Sequence, residues 1–213
     1  MLYAVNSVNF LHEKYTFWKN YIKERKVNYM PDVLKAIKNV VQSLLDEEPK
    51  SPLHVGEVMS YWLFLALCAE TQVQTEAGIN STTDPELRKA LHEAVEMFKS
   101  QKEQLTAFLR LEGVPLPPTS ESKPISDPNS VPFGVKLTDK ELANSLKKKI
   151  SMAITNCANA SAQIIRNDVG IMWGKFLQEH ITFLITFKSQ MRKRGWLNAP
   201  PPYHPAGSPN SGR

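Results

Sequence analysis

Apolar residues recur along this chain every three or four positions, and the two-residue alternation of a half-buried strand is missing. Each run therefore predicts a helix. An opening stretch carries Val8, Leu11, Tyr15, Trp18 and Ile22, and a second, after Pro31, carries Val33, Ile37, Val40 and Leu44 before "EEPKSP" breaks the pattern. Four longer runs come next. The first is expected to start at Ser51 as N-cap, with Pro52 in the first turn and a stripe of Val58, Tyr61, Leu65 and Cys68, and to stop before Gly78. The second opens in "TTDPELRKAL", where Thr83 and Glu86 have capping-box spacing; its stripe is Leu87, Leu91, Ala94, Phe98, Leu105 and Phe108, with Gly113 as the stop. In the third, Thr138 and Glu141 form another capping box ahead of Leu142, Leu146, Ile150, Ala153, Cys157 and Ala160. The fourth carries Ile165, Val169, Met172, Phe176, His180, Phe183, Phe187 and Met191, and Gly195 fits its end.

Stripes stepping by three and four suit helices packed nearly parallel in a bundle. The link from Gly113 to Lys136 then decides the topology. Stretched out it reaches roughly 80 Å, whereas the helix before it is only about 40 Å long. It can return along the whole bundle, so the second and third helices would run the same way and the first and fourth the other way, as in ferritin-like proteins. A plain up-down-up-down bundle with a loose loop is the competing topology. The expected organisation is an N-terminal helical extension over 1–29, a bundle domain over 30–198 and a proline-rich, disordered tail over 199–213. Met30 is a second candidate initiator beside Met1.

Composition narrows the classes. The 213 residues are 42% hydrophobic and 22% charged, ordinary for a globular chain. The longest apolar run, Tyr61 to Ala69, is about half a membrane span, so no span is expected, and the simplest location is the cytoplasm. A formal charge of +5 is spread along the helices and thickens only in "KSQMRKRGW"; no aromatic-interleaved basic face marks a nucleic-acid binder. Cys68 and Cys157 are too few for a disulfide framework or a zinc cage, and both sit in apolar patterns as expected of buried thiols, with a bond between them as the alternative.

Four segments, "PLHVGEVMSYW", "TTDPELRKAL", "EGVPLPP" and "DVG…QMRKRGWLNAPPPY", resemble a family of uncharacterised, ferritin-like helical proteins of spore-forming Bacillus-type bacteria, often labelled spore coat proteins. The likeness covers Met30 to Tyr203 and leaves residues 1–29 outside it. It implies an all-α ferritin-like four-helix bundle, a sporulation role, partners that are other proteins or further copies, and incorporation into the spore. Trp18, Tyr21 and "GWLNAPPPY" are candidate contact points, unless Trp196 packs back on the bundle end.

Ferritin-like bundles often hold two irons through inward carboxylates and two Glu-x-x-His motifs. No Glu-x-x-His occurs here. The candidates for a looser transition-metal site (zinc, iron or nickel) are His54 and Glu57, three apart on one helical face, with Asp168 at matching height on the fourth helix. Pairing of Glu57 or Asp168 with Arg166 would use the same groups structurally. His180, in the middle of an apolar stripe, is expected to be a neutral, hydrogen-bonded core histidine, its partner Glu93 at the boundary, a backbone group or water. No phosphate loop, nucleophile elbow or acid–base pair of carboxylates is present, so no cofactor is assigned. The reading is a non-catalytic structural or interaction protein. A metal-binding bundle with an oxidoreductase or storage role, and a small-molecule-binding bundle with a cavity near the third helix, are its alternatives.

Overall fold

The computed structural model describes residues 50–201 and Tyr203. The chain divides into two compact units, Met1–Lys50 and Ser51–Arg213, and the second holds the four long helical runs. The expected helical segments before Ser51, and the tail beyond Tyr203, lie outside the described residues.

The helices of this unit are α1 (Val55–Ile79), α2 (Pro85–Leu111), α3 (Asp139–Ser161) and α4 (Asn167–Lys193), with one short 3-10 turn, Pro128–Ser130, in the link. No strand occurs among the described residues. The caps show why the helices begin and end where they do. Thr138 and Glu141 close the expected capping box on α3. Two other starts differ from expectation. Asp84, not Thr83, caps α2 by accepting the Leu87 N–H at 2.9 Å, with Pro85 in the first turn. His54, not Ser51, caps α1: its Nδ1 accepts the N–H groups of Gly56 and Glu57, and the Glu57 carboxylate accepts the His54 N–H. Gly78 is inside α1 rather than beyond it.

Gly113 and Gly195 end α2 and α4 with φ of 71° and 68°. Both make the paired bonds of a Schellman turn: Val114 N–H to the Leu109 carbonyl at 2.8 Å and Trp196 N–H to the Met191 carbonyl at 2.9 Å, each with a glycine N–H bonded inside. Val114 and Trp196 then fold back onto the apolar core. Trp196 is thus spent at the bundle end, where its carbonyl also accepts from Asn144 at 2.7 Å and Arg194 lies over its ring.

Helix directions can be read from which ends meet. Asp84 and Glu86, at the start of α2, pair with Arg194 at the end of α4, and Thr82 bonds Asp139 at the start of α3. At the opposite end Arg166, before α4, bonds Ser51, before α1, and Glu112, after α2. So α1 and α4 run one way and α2 and α3 the other, the ferritin-like order. The crossover climbs beside α1 and is tied to it in register: Ser120 bonds Glu70, Ser122 bonds Gln72, Lys123 bonds Glu76, and Pro124 and Ser126 bond Asn80. Both members of each successive pair advance along the chain, as two lengths of chain running in parallel must.

The apolar stripes meet in one core that includes Tyr61, Phe64, Leu65, Phe98, Leu105, Leu146, Ile150, Trp173, Phe176 and Phe187. Burying one such side chain contributes about 1.5–3 kcal/mol. The surface pairs Lys89–Glu93 and Lys175–Glu179 contribute about 0.5 kcal/mol each, so packing rather than surface charge holds the bundle. The phase of α4 differs slightly from the expected stripe. Trp173 and Leu184 are buried, while Met172 and Phe183 are only partly so and Ile165 is 73% exposed.

Candidate functional site

The polar groups singled out by the sequence collect at the basal end of the bundle, where α1 and α4 begin. His54, Glu57 and Asp168 do lie at this one end, but their donor atoms are already committed. His54 Nδ1 takes two backbone N–H groups, which places its proton on Nε2, 3.0 Å from the Gln163 carbonyl. Glu57, 3% exposed, accepts the N–H groups of Ile165 at 2.9 Å and Arg166 at 3.1 Å on one oxygen and of His54 at 3.1 Å on the other. Burial pushes the Glu57 carboxyl up, but the three backbone donors outweigh it and hold the group below the usual carboxylate range. Asp168 accepts from Arg166 Nε at 3.0 Å, from Arg166 Nη2 at 2.7 Å and from the Val169 N–H at 2.9 Å.

Arg166 is the hub of this cluster. All five of its N–H donors are used: two on Asp168, two on Glu112 at 2.9 and 2.7 Å, and one on the Ser51 carbonyl at 3.2 Å. Its guanidinium is held yet more firmly protonated by Asp168 and Glu112. The Asp168–Arg166 pairing anticipated as a structural use of the carboxylate is therefore present, whereas Glu57 meets only the backbone of Arg166. Nothing in the sequence marks Glu112 for this role, because it sits past the end of α2, next to the stop glycine. Among the described residues no group of three His, Cys, Asp or Glu side chains is arranged to hold a metal ion. Chemically, the arrangement ties the N-termini of two helices and the C-terminus of a third into one rigid joint.

Above the joint stands an aromatic column. Tyr61 stacks on Trp173 with centroids 4.8 Å apart and donates its hydroxyl to the Val169 carbonyl at 3.1 Å. Phe64 is next, and then His180, whose ring meets Phe64 edge-on at 6.1 Å and Phe98 at 5.2 Å. His180 is fully buried, and neither ring nitrogen has a hydrogen-bond partner among the described residues. Neither the expected Glu93 contact nor a backbone one is thus made among the described residues. Glu93 is turned outward onto Lys89, and the neighbours of His180 offer π faces instead of acceptors. Burial alone pushes His180 down to about 4, so it is neutral as anticipated.

At mid-height a short polar chain enters the core. Glu179 accepts from Gln101 Nε2 at 2.7 Å, and Gln101 Oε1 faces the Cys68 thiol at 4.0 Å. Gln101 is fully buried, a polar residue within the face that the apolar stripe of α2 marks out. Both cysteines are free and buried. Burial pushes the Cys68 thiol well up and the Cys157 thiol up to about 12, so neither is a nucleophile at neutral pH.

Relatives place this architecture. A Bacillus halodurans C-125 crystal structure, provisionally named a spore coat protein, superposes with a TM-score of 0.70 at 30% identity over 72% of this chain and 96% of that one. A two-domain Anabaena variabilis protein with a ferritin-like domain and a DUF305 fragment from Deinococcus radiodurans, at 15% and 13% identity and TM-scores of 0.52 and 0.53, share the fold alone. The former match covers 72% of this chain and 41% of that protein, and the latter 67% and 99%. In sequence, the uncharacterized Bacillus subtilis protein YvdQ is 29% identical over 153 residues, 72% of this chain and 89% of its own length. Residues 43–208, most of the chain, match the family model described as protein of unknown function DUF3231, and the chain belongs to that family.

Proposed function

We propose that this chain is a non-catalytic structural or protein-interaction component of the sporulation programme, carried into the spore. The observation that supports it most is the likeness, over nearly the whole length of the relative, to the Bacillus halodurans protein named for the spore coat. The chemistry of the bundle agrees with a scaffold. Its basal carboxylates, histidine and arginine bind one another and the backbone. Surface is available for other proteins: Val55, Met59 and Leu63 stand at four-residue steps on α1, each more than half exposed, and Ile185 on α4 is 67% exposed. In the terminal segment Trp196 is engaged by the bundle, which leaves Tyr203, 87% exposed, as the contact residue. Trp18 and Tyr21 lie outside the described residues.

The reading is tested by expressing the full chain, fused to a fluorescent protein, in a sporulating Bacillus. Fluorescence should gather at the forespore surface, and the protein should leave purified spores only with the coat extract. A diffuse mother-cell signal together with absence from purified spores would remove the assignment.

A further inference from the structure

A cleft of about 320 Å³ opens between the C-terminal half of α1, the N-terminal half of α3 and the end of the crossover. Its base is apolar, formed by Leu91, Leu142 and Leu146 around Gly78. A Cβ at Gly78 would stand 3.3 Å from Leu142 Cδ2, so glycine is what lets α1 and α3 close the base of the cleft. Ser145 and Lys149, one turn apart on α3, stand on its wall.

Lys149 is the unusual member. It is half-buried, and no carboxylate or carbonyl among the described residues bonds it. Arg166, by contrast, is matched by two carboxylates and Lys102 bonds Gln72 at 2.6 Å, whereas Lys149 shares this cleft with leucines. A partly desolvated ammonium without an anion is a standing electrostatic cost, and burial lowers its proton affinity accordingly. An anion entering the cleft would remove that cost, and an apolar body attached to it would cover the leucines. The volume is at the lower end for ligand sites, enough for a body on the order of ten heavy atoms.

We propose that this cleft binds a small amphiphilic monocarboxylate, its carboxylate on Lys149 and Ser145 and its apolar body over Leu142, Leu146 and Gly78. The site is independent of the spore reading: either can fail alone. The test uses the full chain, titrated with octanoate and, as neutral control, octanol, by calorimetry and by amide shifts in NMR. Octanoate should bind saturably at one site, shift Gly78, Leu142 and Leu146, and bind more tightly than octanol. Lys149→Met, which keeps the stem and removes an uncompensated charge, should weaken octanoate about tenfold and leave octanol unchanged. Ser145→Trp should fill the cleft and abolish both; if circular dichroism shows that this variant is unfolded, the Lys149→Met comparison decides. Non-saturable octanoate binding, equal affinity in Lys149→Met, or shifts confined to another face would overturn the proposal.

Discussion

The Glu57 carboxylate, one turn into α1, accepts the backbone N–H of Arg166, 109 residues away at the entry to α4, at 3.1 Å. One side chain thereby caps its own helix, through His54, and the start of another. Glu57→Ala strands three backbone donors at once. It should lower stability by about 3 kcal/mol in urea unfolding, and Glu57→Gln by about half as much. The same variant separates a cap from a metal ligand. Elemental analysis should give equal metal content for wild type and Glu57→Ala, whereas a stoichiometric transition metal lost with the carboxylate would make Glu57 a ligand.

The guanidinium of Arg166 faces away from Glu57, onto Glu112 and Asp168, and is nearly sealed from solvent. Removing it leaves two carboxylates facing each other across a partly buried gap. Arg166→Met should therefore cost about 3 kcal/mol, measured by the same unfolding curves. Adding Glu112→Gln to that variant should restore part of the loss, since one of the two stranded charges is then gone. A double variant that is simply additive would show that Glu112 and Arg166 do not act as a pair.

Three glycines give opposite expectations. At Gly113 and Gly195 the backbone is left-handed, and nothing lies within 4 Å of an added Cβ, so strain alone decides. Alanine at either should cost about 1 kcal/mol, seen as a lower melting temperature. Gly174 is helical, with open space around it. Gly174→Ala should raise stability by about 0.5–1 kcal/mol.

The helices and their order were legible in the sequence, and the joint between them was not. Hydrophobic period located α1 to α4 because each buries one continuous face, and the length of the Gly113–Lys136 segment implied a parallel α2 and α3. The helix starts were harder. Three potential caps stand together in "TTD", and at α1 the cap is a histidine, a residue outside the usual capping set. Height matching brought His54, Glu57 and Asp168 to one end, but it cannot show where lone pairs point. Whether a carboxylate faces a metal or an N–H depends on the loops at 50–54 and 162–166, whose course no periodicity describes. His180 illustrates the same limit from inside the core: its burial is a consequence of the stripe, its lack of a partner only of which aromatic rings surround it.

Burial makes His180 an acid-sensitive point of the fold. In the unfolded chain its imidazole titrates near 6.5, in the core only near 4. Between these values the unfolded state binds a proton that the folded state does not, so stability rises with pH. It should be complete above about pH 6.5 and fall by about 3 kcal/mol as the pH drops to about 4. Glu57 acts lower down: its depressed carboxyl gives stability that is present above 4.5 and is lost as pH falls further. Unfolding free energies measured from pH 7.5 to 3.5 should thus show two consecutive declines. His180→Leu, which replaces an unpaired polar ring by an apolar side chain of similar size, should raise stability by about 1 kcal/mol at pH 7 and flatten the upper decline alone. Glu57→Gln should weaken the lower one. If His180→Leu leaves the upper decline intact, the proton is being taken up elsewhere, and the buried imidazole is not what makes the bundle sensitive to mild acid.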